Sequence, residues 1–190
     1  EVAIAYGYDN FELEIPEIST IGEESRISIM KNKIREILVG LGLLEISTFH
    51  LSTKEKQFKR IGVKEFKDRM IEVLDSKTEN NVLRDSLFAQ TIMVLSENSD
   101  ASYPQRIFEI GKVFRLDDGS DVGVREVEKL CVTLCSESVG FTEVRQILDY
   151  LMRMLSVSYE VREGSREGFI EGRVGEVFVE GKSVGFLGEV

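Results

Sequence analysis

QRIFEIGKVFR, residues Gln105–Arg115, is the stretch on which the reading of this chain turns. Phe108, Ile110 and Phe114 fall at even spacing, with Glu109, Gly111 and Val113 between them. That alternation is the two-residue period of a half-buried strand. Pro104 stands just before it, where a missing backbone donor does no harm. Upstream, RDSLFAQTIMVLSEN predicts an amphipathic helix from Arg84 to about Asn98, with Leu87, Phe88, Thr91, Ile92 and Leu95 on one side. The unit is therefore a helix, a short polar link and a strand reading Phe-Glu-x-Gly.

Downstream, DDGSDVG is a turn-rich loop. VEKLCVTLCS follows as a nearly continuous apolar run, which predicts a central strand. Cys131 and Cys135 sit in it four residues apart, too far along a strand to bond each other, and read as buried thiols of a reducing compartment. FTEVRQILDYLMRML is the cleanest helix: Phe141, Val144, Ile147, Leu148, Leu151, Met152 and Leu155 form one wide apolar stripe. Burying it contributes on the order of 10 kcal/mol before entropy is set against it. YEVRE reads as a strand, and VGEVFV with SVGFLG around Glu180-Gly181-Lys182 as a hairpin.

Upstream, a helix is predicted from Arg26 to Leu41, with Ile27, Met30, Ile34, Ile37, Leu38 and Leu41 on one stripe and Gly40 and Gly42 as the stop. EISTFHLS reads as a strand, Ser52 and Glu55 have capping-box spacing for a short helix through Lys59, and RMIEVLD (69–75) reads as another strand. The sum is an α+β domain: an antiparallel sheet flanked by three long helices.

Composition narrows the function. The 190 residues carry 42% apolar and 31% charged side chains, an ordinary globular balance. The net charge of −10 argues against independent, tight binding of RNA or DNA; a local basic patch could still touch RNA, but none is evident in the sequence. One histidine, His50, makes zinc ligation by this chain improbable, and no apolar run spans a membrane. His50 reads as structural rather than as a general base. Asp117, Asp118 and Asp121 lack EF-hand spacing and read as a solvated turn. No GxxxxGK[ST] loop is present. Neither Gly164–Arg166 nor Gly172–Gly175 opens an apolar-periodic helix. Arg84 and Arg106 flank the helix and strand; a surface or packing role is preferred for them over phosphate binding. Glu109 is either a remnant of a substrate-contacting position or a hydrogen-bonded sheet carboxylate.

The helix, link and strand resemble the second signature motif of class II aminoacyl-tRNA synthetases. AIAYGYDNF, IREILVGLGLLEISTF, VLRDSLFAQTIMVLSEN, QRIFEIGKVFR, FTEVRQILDYLMRML and the closing GR…GKSVGFLGE occur in one order. Together they resemble the C-terminal region of the beta subunit of phenylalanyl-tRNA synthetase in its archaeal and eukaryotic form. The resemblance covers nearly the whole chain and implies a class II catalytic-like fold without the activity. Residues 1–20 are then a tail of a preceding domain and connector, and 21–190 the catalytic-like domain. Glu1 without a methionine and Val190 inside a strand pattern suggest cuts in a longer protein, with the domain truncated at its C-terminus.

The resemblance further implies an alpha-subunit partner in a two-alpha, two-beta enzyme. ATP and magnesium would serve the full enzyme and not this part; tRNA would be its substrate, in the cytoplasm with no membrane association. Arg106, Phe108, Glu109 and Gly111 mark the motif-2-like strand. Ile27, Ile29, Met30, Ile34, Ile37, Val39 and Leu41 on the first long helix are candidates for the subunit interface. Glu1 stands where many relatives have Asp, and is a candidate metal ligand only for a site completed upstream. FIEGR (Phe169–Arg173) lacks the Pro that many relatives place before Gly-Arg. The competing readings are a free-standing protein- or metabolite-binding module of synthetase-like fold and an active adenylating enzyme.

Overall fold

The computed structural model describes residues 1–15, 17, 22–64, 68 and 70–190. Five α-helices are present among them: α1 (Val2–Tyr6), α2 (Arg26–Gly40), α3 (Lys54–Gln57), α4 (Phe88–Glu97) and α5 (Phe141–Met154). Nine strands accompany them: β1 (Leu44–Glu45), β2 (Leu51–Ser52), β3 (Ile71–Glu72), β4 (Val82–Leu83), β5 (Gln105–Leu116), β6 (Val124–Cys135), β7 (Glu160–Glu163), β8 (Val174–Val179) and β9 (Lys182–Gly188). They form three three-stranded sheets, ordered β1-β5-β6, β2-β4-β3 and β7-β8-β9. Every pairing is antiparallel except β1 with β5.

The β5–β6 hairpin is the spine. It pairs from Gln105↔Cys135 to Leu116↔Val124 without a break. One face carries Phe108, Ile110, Leu130, Val132 and Leu134, which pack with Leu38, Leu43 and Ile147 in the main core. This is the apolar face that the alternation predicts. The other face is buried too, however: Ile107, Glu109 and Val113 are withdrawn from solvent. The strand is therefore covered on both sides along much of its length, and Glu109 points inward on the second face.

Several elements differ from expectation. Helix α4 starts at Phe88, not Arg84, because the Arg84 backbone is used by the strands: its carbonyl accepts from Phe114 N–H at 2.9 Å. Ser86 Oγ then accepts from Phe88 N–H at 3.2 Å just ahead of the helix, whose N-cap position is Leu87. The segment EISTFHLS divides into β1 and β2, because Thr48 between them turns toward the other face of β5. Thr53, not Ser52, caps α3, accepting from Lys56 N–H at 3.2 Å; Ser52 is a buried residue of β2. The expected strand 69–75 contracts to β3, with Arg69 outside the described residues and Asp75 in a left-handed turn. Strand β6 is an edge, not central. Its apolar run is explained by helices on both faces, with α4 on one and α2 and α5 on the other.

The ends of the helices follow local chemistry. Ser25 Oγ accepts from Ser28 N–H at 3.2 Å at the start of α2, and Gly42 takes the left-handed conformation that lets Leu43 N–H reach back to Leu38 at 3.1 Å. At α5, Glu143 reaches back to Gly140 N–H at 3.0 Å, and Glu189 Oε1 accepts from Phe141 N–H at 2.9 Å. Glu180 and Gly181, both at positive φ, make the tight turn of the β8–β9 hairpin.

Candidate functional site: the strand that resembles an active-site motif

Strand β5 places the four motif residues on different faces. Arg106 and Phe108 point to the main core. Phe108 is fully buried there, and Arg106 Nη1 donates to the Leu41 carbonyl at 3.4 Å, tying the strand to the end of α2. Glu109 and Gly111 point to the opposite face, under α4.

Glu109 is spoken for. Its Oε1 accepts from Arg84 Nη1 at 2.7 Å and from Thr48 N–H at 3.2 Å, and its Oε2 accepts from Thr48 Oγ1 at 2.7 Å. Arg84 also donates from Nη1 to Thr48 Oγ1 at 2.8 Å and from Nε to the Lys112 carbonyl at 2.8 Å. The two side chains are 1% and 2% exposed. Gly111 makes room for this: a Cβ there would sit 2.5 Å from Arg84 Nη2. A carboxylate closed in by a guanidinium and a threonine is a structural ion pair with its hydrogen bonds supplied. It has no face left for a ligand. Of the two readings of Glu109, the hydrogen-bonded sheet carboxylate is the one observed, and Arg84 has the packing role.

Periodicity alone misses the pairing of Arg84 with Glu109, because it places Arg84 in a helix. The sequence does mark the place, though not the partner: a glycine inside a strand marks close approach by another group, and Gly111 stands two residues from Glu109 on the same face.

The remaining candidates fall elsewhere. On α2, Leu38 is the fully buried residue; Ile34, Ile37 and Leu41 are half-buried, whereas Ile27, Ile29, Met30 and Val39 are 53, 42, 46 and 56% exposed. The interface candidates thus divide between those that serve the domain's own core and those that face outward. Glu1 is exposed at the start of α1. Among the described residues no group of three or more His, Cys, Asp or Glu is placed to hold a metal ion. His50 is exposed, and its ring meets Phe114 edge-on at 5.5 Å. Cys131 and Cys135 are free. Burial pushes the Cys131 thiol up, against hydrogen bonds with Thr91 and Thr133, which is the condition of an unreactive thiol.

A cleft of about 340 Å³ opens between the start of α5 and the β7-β8-β9 sheet, lined by Arg145, Arg162, Arg173 and Glu189 among others. Each arginine in it is matched by a carboxylate: Arg145 by Asp149, Arg162 by Glu160 and Arg173 by Glu189. Magnesium-dependent handling of ATP needs carboxylates grouped for the metal and cations directed at phosphates. The donor sets of the strand and the cleft do not fit that need.

The family model for the phenylalanyl tRNA synthetase beta chain CLM domain matches residues 12–190. The chain belongs to that family. The chain aligns along its whole length with the phenylalanine–tRNA ligase beta subunits of Pyrococcus abyssi (39% identity), Thermococcus sibiricus (38%) and Methanocaldococcus jannaschii (34%). It spans about a third of each, 34% of their length. In fold it is similar to Desulfitobacterium hafniense PylSc, a pyrrolysyl tRNA synthetase, with a TM-score of 0.66 at 17% identity over 83% of this chain and 54% of that one. The CLM domain thus has the α+β fold of a class II synthetase, as the ordered motifs imply. No helix among its described residues is long and apolar enough to cross a membrane.

Proposed function

We propose that this chain is the non-catalytic, class II-like domain of a phenylalanine–tRNA ligase beta subunit. It supports ATP-dependent attachment of phenylalanine to tRNA by an alpha subunit, in a cytoplasmic enzyme with two of each subunit. One observation carries the inactive reading: Glu109 of the motif-2-like strand is closed inside an ion pair with Arg84. ATP and magnesium then belong to the alpha subunit. Glu1 is a magnesium ligand only together with residues upstream of it. Residues 1–20 serve as tail and connector, and 21–190 as the catalytic-like domain at the C-terminal side of the subunit. The start of the family match at residue 12 supports a boundary in that stretch.

The outward side of α2 supports the partner. Ile29 and Val39 stand exposed on a helix whose opposite side is already buried in its own core. The experiment is to replace both with Asp in the full beta subunit and follow assembly with alpha by sedimentation. Loss of assembly with a folded beta subunit is expected, and unchanged assembly removes α2 from the interface. Calorimetric titration of the chain with ATP and magnesium, with and without phenylalanine, should show no binding heat. Clear binding would restore the reading of an active adenylating enzyme. A wild-type beta subunit that never co-purifies with alpha favours the free-standing binding module.

A further inference from the structure

Strand β6 sorts its charges by face. In the run Arg125-Glu126-Val127-Glu128-Lys129 the pleat sends Glu126 and Glu128 one way and Arg125, Val127 and Lys129 the other. On the first face the acids are neutralised: Glu126 pairs with Lys112 and Glu128 with Lys31. On the second face Arg115 lies directly opposite Arg125, and Lys129 lies opposite Gly111. Like charges directly opposite each other across two strands oppose folding.

Arg115, Arg125 and Lys129 enter none of the ion pairs among the described residues. Arg115 and Arg125 are exposed and Lys129 is half-buried. Burial, then the charges of Arg115 and Arg166, hold the Lys129 ammonium below the usual lysine range, so Arg166 from the β7–β8 connection acts on the same place. Asp117, Asp118 and Asp121 sit beyond the last strand pair, at the hairpin tip, and form no ion pair with these cations. An acidic chain of net charge −10 therefore keeps a cationic strip about 13 Å long, four residues of strand, that no carboxylate among the described residues neutralises.

We propose that this strip, Arg115, Arg125 and Lys129, is a contact surface for the phosphates of an RNA strand. Guanidinium forks on a two-stranded ribbon match phosphate oxygens, and a strip of that length faces several phosphates of one strand. The choice of RNA over an acidic protein rests on the proposed function, that the chain is part of a tRNA ligase. The surrounding negative charge keeps the contact weak and salt-sensitive, so it positions an RNA already held elsewhere in the enzyme.

The test uses the full beta subunit assembled with alpha, a transcript of the phenylalanine-accepting tRNA as probe, and anisotropy read over a salt series. The variant R115Q/R125Q/K129Q is expected to weaken binding about tenfold or more near physiological salt. It should lower the slope of log K against log salt by about 2–3, from three contacts at roughly 0.7–0.9 each. K31Q/K112Q, on the neutralised face, should leave the slope unchanged. The single variant R125Q, expected to fold because it relieves a like-charge pair, should remove a slope of about 0.7–0.9. Affinity and slope equal to wild type in the triple variant overturn the proposal. So does a loss of alpha–beta assembly while assembled enzyme binds tRNA normally, which assigns the strip to an acidic protein surface. If wild-type beta does not assemble with alpha, the ligase reading fails by itself. The same triple comparison on beta alone, against single-stranded RNA, then decides the strip.

Discussion

Arg84 Nη1 lies 2.7 Å from Glu109 Oε1, and neither side chain reaches solvent. The pair bridges the end of β4 to the middle of β5, and Thr48 completes it from the β1–β2 connection. Such a pair is not a net source of stability, because removing two charges from water roughly cancels their attraction. Removing one partner alone leaves a buried charge uncompensated. Glu109→Leu and Arg84→Met are each expected to destabilise the domain by about 3–5 kcal/mol in urea unfolding. The double variant should be considerably more stable than the sum of the two losses implies, and strict additivity would show that the two groups are not coupled.

Gly111 predicts a second, linked effect. The Cβ of Gly111→Ala would meet Arg84 Nη2 at 2.5 Å and Glu109 Oε1 at 3.2 Å. Overpacking of this kind costs about 1–3 kcal/mol. In an Arg84→Ala background the same substitution should lose most of its effect, since the obstructing guanidinium is gone. A penalty of equal size in both backgrounds would trace it to the strand backbone instead.

Adjacent residues of α2 should behave oppositely. Leu38 is fully buried in the main core, and Val39 is more than half exposed. Leu38→Ala is expected to lower stability by about 2–5 kcal/mol. Val39→Ala in the isolated chain should stay within about 0.5 kcal/mol of wild type. A large loss at Val39 in the isolated chain would mean that it serves the domain itself and is not held for a partner.

Acid should act through Glu189. Arg173 and then the Phe141 N–H hold its carboxyl below the ordinary glutamate value of 4.5, against a smaller upward push from burial. The folded-state pKa is depressed, so the contribution is complete above the unfolded value and disappears as pH falls through the folded one. The difference in melting temperature between wild type and Glu189→Gln is therefore expected to be constant near neutral pH and to close in acid. A difference that persists unchanged at low pH would assign the effect to packing at the start of α5.

Local periodicity is legible in the linear chain. The stripe of α5, the even-spaced apolar residues of β5 and the turn at Glu180-Gly181 each depend on residues one to four positions apart, and each occurs as expected. The ordered motifs are enough for the class II fold. Boundaries are less legible, because Arg84 and Ser52 carry helix-start patterns that contacts with distant strands override.

What the linear chain does not supply is which distant groups meet. Arg84 and Glu109 are 25 positions apart, and no local pattern says that one will neutralise the other. The charges at 125–129 are plain in the sequence, yet the neutralisation of the acidic face depends on Lys31 and Lys112, brought there by a helix and a neighbouring strand. Periodicity settles which face a side chain takes, because pleat and helical pitch are properties of the local backbone. Only tertiary packing settles what that face meets. That is why a strand with the pattern of an active-site motif holds a closed ion pair under one helix, and why an acidic chain presents a cationic strip beside it.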